Sequence, residues 1–206
     1  MSIRREFRTW LQSSDSKSRM GKFWREATLA LLILVLGDAV AGVALGKTTD
    51  LFLSIPGILI LVPAIQEMRG NISGILSSRL STALHLGSIH PKLRDNTIEF
   101  RDNVLATAVL SVLTPLGVGM IAFLFSRLFG FDKNVSLGVF VLVSFCAGVL
   151  SGLLQTVLTI LFAFVTYKRG LDPDTIVFPV LSSVEDMISI FSLIVSVILV
   201  SRFGGI

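Results

Sequence analysis

Five apolar blocks, each about 20 or more residues long, dominate this chain, and that length answers to a bilayer's hydrocarbon thickness rather than to the alternation of a globular core. They run from about Ala27 to Leu45, Leu51 to Ala83, Val104 to Phe129, Val135 to Thr166 and Phe178 to Val200. Only 16% of the 206 residues are charged, whereas a soluble domain carries roughly 25%. The blocks predict an all-α integral membrane protein of five transmembrane helices. Residues 1–25 form a basic amphipathic segment and residues 26–206 the transmembrane domain.

The basic residues are one-sided. Seven precede the first block, Arg4, Arg5, Arg8, Lys17, Arg19, Lys22 and Arg25, and six more lie in the second and fourth connections, Arg79, Lys92, Arg94, Arg101, Lys168 and Arg169. The opposite side carries Lys47, Arg127, Lys133 and Arg202, with Arg69 inside the second block. This bias predicts a cytoplasmic N-terminus and an external C-terminus, in a multi-pass protein of the cell membrane. The leading 25 residues are too long and polar for a signal-peptide n-region, so the first helix is expected to stay. Within them Ile3, Phe7, Trp10 and Leu11 recur at helical spacing among arginines, which suits a helix lying against anionic lipid. One Tyr and two Trp give no stacking platform for nucleic acid. The single cysteine, Cys146, excludes an internal disulfide and reads as a small buried hydrophobe.

Four carboxylates fall where lipid disfavours them: Asp38, Glu67, Glu185 and Asp186. Each costs roughly 2.5–3.5 kcal/mol near a helix centre, so such residues normally face protein or a watery path and mark ion handling. Arg69 is the nearest cation in sequence to Glu67 and its expected partner. The second block carries Pro56, Pro63, Gly70 and Gly74 among Gln66, Glu67, Asn71, Ser73, Ser77 and Ser78. The fifth carries Pro179, then Ser182, Ser183, Glu185 and Asp186. Both helices are expected to be broken, with freed carbonyls and oxygen-bearing side chains lining a cation path. Oxygen ligands select hard cations, Mg²⁺, Mn²⁺ or Ca²⁺, and Mg²⁺ keeps several of its waters. His85 and His90 sit at the end of the second block, as interfacial residues rather than ligands. Asp95, Glu99 and Asp102, interleaved with Arg94 and Arg101, read as a solvated helix face.

The segment PAIQEMRGNISGILSSRLSTALHLG, Pro63 to Gly87, resembles the first signature of the MgtE-type magnesium channels and solute carrier family 41 magnesium transporters. The segment DPDTIVFPVLSSVED, Asp172 to Asp186, is similar to their second signature. The likeness covers about Ala27 to Val200. It implies a five-helix unit whose second and fifth helices line a pore between two facing units. It assigns contact with hydrated Mg²⁺ to Asp186, places Asn71 and Gly70 in the first signature, and puts Pro179 and Ser183 near the path.

Two departures stand out. Glu185 replaces a usual glycine, while Glu67 and Arg69 stand where small or apolar residues and a glycine or lysine are usual. The metal-contact set expected here is therefore Asp186, Asn71, Glu67 and Glu185. Gly70, Ser73, Pro179, Ser182 and Ser183 are expected to line the pore, and Asp38 to be a further intramembrane acid. A single unit implies a homodimer, with Mg²⁺ as substrate and no catalysis. The residues alone leave two other classes open. A membrane-embedded metal-dependent enzyme is disfavoured by the lack of a Ser/His pair or HExxH arrangement. A non-transporting membrane subunit would use the small residues of the third and fourth blocks for helix contact but leaves the four carboxylates unexplained.

Overall fold

The computed structural model describes residues 14–131, 135–170 and 173–203, with side chains described for much of the first helix and from 181 to 202 in the last. The helices are α1 (Ser14–Lys47), the short α2 (Thr49–Leu53), α3 (Leu61–His85), α4 (Ile98–Leu128), α5 (Leu137–Lys168) and α6 (Pro173–Phe203). A single 3-10 turn, Ile58–Ile60, leads into α3. No strand occurs among the described residues. Ile98–Leu128, Leu137–Lys168 and Leu181–Arg202 are long and apolar enough to cross a membrane. At 1.5 Å per residue a helix of α4's length extends about 46 Å, well beyond a hydrocarbon core of about 30 Å.

Two expectations about helix breaks need correction. The second block does break, but at Pro56–Gly57, between α2 and the 3-10 turn, while α3 runs unbroken through Gly70 and Gly74. Pro63 falls in the first turn of α3, where its missing N–H would have had no partner anyway. A helical glycine costs only about 1 kcal/mol, too little to open a 25-residue helix packed on three neighbours. Likewise α6 is continuous through Pro179, whose side chain lies outside the described residues. The amphipathic stretch from Ile3 to Leu11 also lies outside them. Asp95 precedes α4, in a left-handed backbone conformation at φ 53°, so it shares no helix face with Glu99 and Asp102.

Helix α3 packs on α4, α5 and α6, and α5 also packs on α4 and α6, while α1 lies chiefly against the outside of α6. Apolar side chains form two separate cores. Phe52, Ile55, Ile58, Leu61, Ile65, Phe140, Val143, Leu193 and Val197 fill one end, and Leu76, Leu80, Leu84, Phe100, Ile160, Phe164 and Leu181 fill the other. Between them lies a polar layer built from Arg69, Ser73, Ser111, Gln155, Thr159, Glu185 and Ser189, all buried. Two dry plugs around a polar middle give the bundle a defined depth at which charge can be held.

Candidate cation site

The site begins with how closely α1 approaches α6. Ser183 Oγ donates to the Leu34 carbonyl at 3.0 Å, and a Cβ at Gly37 would overlap the Ser183 side chain. This contact needs a glycine, and it carries the next residue, Asp38, to the neighbourhood of Asp186. The Asp186 carboxylate is within hydrogen-bonding reach of both Asp38 and the Gln66 side chain, and it feels the charge of Glu67. One turn along α3, Asn71 Nδ2 donates to Glu67 Oε1 at 3.0 Å, the i,i+4 geometry of a helix face. Nothing lies within 4 Å of where a Cβ on Gly70 would sit.

Asp38, Glu67 and Asn71 are exposed and Asp186 half-buried, so carboxylates from three helices and two amides share one open surface. Like charges brought this near disfavour one another unless a cation stands among them. All the donors are oxygen or amide groups, the chemistry of hard cations. Among the described residues no group of three or more His, Cys, Asp or Glu is tight enough to hold a bare metal ion.

Glu185 faces the other way. It is 2% exposed; Ser73 Oγ donates to its Oε2 at 2.5 Å, and Thr159 Oγ1 to its Oε1 at 3.4 Å. Gln155 Nε2 donates to the Glu185 carbonyl at 2.8 Å and to Ser189 Oγ at 3.0 Å, tying α5 to α6. Arg69, also 2% exposed, reaches Ser111 through Nη1 at 3.1 Å and lies in the field of Glu185. The expected partner, Glu67, is two positions from Arg69 on α3, hence on nearly the opposite helix face, and pairs with Asn71 instead.

Of the sequence-derived residues, Asp186, Glu67, Asn71 and Gly70 share the open face and Asp38 joins them. Glu185, Ser73 and Ser183 are enclosed between helices, and Ser182 is half-buried. Gln155, Thr159 and Ser111 were missed. Their signal was there: a glutamine inside an otherwise apolar block is costly in lipid and implies an interior partner.

The profile of the MgtE family, described as a divalent cation transporter, matches residues 62–196, which takes in nearly all of α3 to α6 and leaves out α1 with Asp38. The chain is 26% identical over 181 residues to solute carrier family 41 member 2 of Xenopus laevis, covering 81% of this chain and 31% of that protein. The Homo sapiens member 2 is 27% identical over 175 residues, covering 79% and 30%. Solute carrier family 41 member 3 of Rattus norvegicus is 27% identical over 172 residues, covering 80% and 36%. The chain thus spans about a third of the length of these curated relatives. The family is one of transporters, not enzymes, and with its apolar helices the chain is a membrane protein. It belongs to the MgtE family of divalent cation transporters.

Proposed function

We propose that this chain moves divalent cations, Mg²⁺ first, across the cell membrane, along a path between two copies of a five-helix unit. The observation that carries the reading is the open acid and amide face of Asp38, Glu67, Asn71 and Asp186: on α3 the exposed side continues through the polar Ser78, Arg79 and Thr82, while the other exposed side chains of α1 and α6 are chiefly apolar. Left against lipid, such a face is strongly disfavoured. A two-fold related copy would cover it with its own carboxylates and enclose a hydrated, negatively lined passage. Helices α1 and α3, 34 and 25 residues long, supply the two crossings beyond the three most apolar ones. The basic bias puts the N-terminus in the cytoplasm, where Arg4, Arg5 and Arg8 meet anionic lipid.

In this mechanism the carboxylates concentrate the cation electrostatically. Asp186, with Gln66 beside it, contacts the water shell, and Asn71 stands by Glu67. Incomplete dehydration lets the ion leave as readily as it enters. Mn²⁺ and Ca²⁺, with the same preference for oxygen, are the competing substrates. The test is uptake into liposomes holding the purified chain, with Mg²⁺, Mn²⁺ and Ca²⁺ offered in turn, with and without a proton or sodium gradient. Uptake of Mg²⁺ above empty liposomes is expected, and cross-linking across the acidic face should trap a dimer. A chain that dimerises but moves no divalent ion would be a non-transporting subunit.

A further inference from the structure

Arg69 and Glu185 are the fully enclosed charged side chains among the described residues. Arg69 extends from α3 past Gly152 of α5, where any Cβ would overlap Nη1, to Ser111 of α4. Its Nε and Nη2 are shielded from solvent and have no hydrogen-bond partner among the described residues. Glu185 reaches in from α6 to Ser73, one turn beyond Arg69 on α3: the Ser73 Oγ is 2.9 Å from the Arg69 backbone carbonyl and 2.5 Å from Glu185 Oε2. Glu185 feels both the guanidinium and the neighbouring Asp186. A buried charge of either sign is strongly disfavoured alone, and removing one partner leaves the other uncompensated. A guanidinium cannot escape by losing its proton.

We infer that Arg69 is the internal counter-cation of Glu185 and, through it, a specificity-determining residue of the cation path. The buried guanidinium offsets the Glu185 carboxylate across the α3–α6 contact, so the field at Asp186 is set chiefly by Asp38 and Glu67. An unbalanced Arg69 would place a fixed positive charge behind Asp186 and weaken its hold on a divalent ion. The inference rests on the transport reading above.

The test compares Glu185→Gln with two double variants, Arg69→Met/Glu185→Gln and Arg69→Lys/Glu185→Gln, in liposomes and in detergent. Glu185→Gln should raise the half-saturating Mg²⁺ concentration about fivefold or more, since a unit charge at this range acts on a divalent ion. Adding Arg69→Met should return it to within about twofold of the parent, while Arg69→Lys, which keeps the charge, should not. A shift due to packing alone would make the lysine variant recover at least as well as the methionine one. That result, or an unchanged half-saturation in Glu185→Gln, overturns the inference. If the parent chain moves no divalent ion, the transport reading fails by itself and the pairing is read from melting in detergent. Loss in Glu185→Gln with recovery by methionine and not by lysine then upholds the counter-cation, and recovery by neither or by both overturns it.

Discussion

Glu185 and Asp186 are consecutive residues of α6 with opposite surroundings. Successive side chains on a helix point about 100° apart, so one carboxylate enters the polar layer between the apolar cores and the other reaches the open face shared with α1 and α3. Inside, the Glu185 carboxylate is compensated by two hydroxyls and by the field of a guanidinium from the facing helix. On the face three carboxylates gather with amides and no basic side chain among their partners described above. We assign the first arrangement to holding the bundle together and the second to meeting a cation. A charge in a membrane segment therefore shows its role by what surrounds it, not by its presence.

The largest expected effect separates the two sites by stability. Glu185→Leu strands Arg69 and should cost about 3–5 kcal/mol, read as a collapse of the melting transition in detergent. Asp186→Asn, on the face, should change it by less than about 0.5 kcal/mol. Equal losses would erase the distinction. Next, Gly152→Val drives a side chain into Arg69 Nη1 and Ser111 and should cost about 2–3 kcal/mol by overpacking, read from melting in detergent. Ser73→Ala removes the hydroxyl that bridges α3 and Glu185, for about 1–2 kcal/mol. The smallest effect belongs to the face: Asp38→Asn should leave melting unaltered and raise half-saturating Mg²⁺ about threefold, measured by uptake titration.

Much of this was legible because lipid leaves few choices. Apolar runs gave the last three helices to within about six residues, but α1 begins at Ser14, well before its block, and the second block holds α2, the 3-10 turn and α3; four costly carboxylates pointed to ion handling. What the sequence could not reveal is rotation about each helix axis. Periodicity is weak where both lipid and interior are apolar, so it did not turn Glu185 inward and Asp186 outward or turn Arg69 away from Glu67. Asp38 had no motif around it, because its setting comes from Gly37 against Ser183, a contact between the first and last helices. Pro63, Gly70 and Gly74 looked like breaks, yet a first-turn proline is harmless and packing outweighs two glycines. The turn at Pro56–Gly57 was the effective one.

The central claim, that the open acidic face and not the buried charge layer carries the cation, is tested most directly by Mg²⁺ uptake into liposomes bearing Asp186→Asn. The variant should melt like the parent and move no Mg²⁺ above empty liposomes. Uptake at the parent rate from a properly folded Asp186→Asn chain would contradict it.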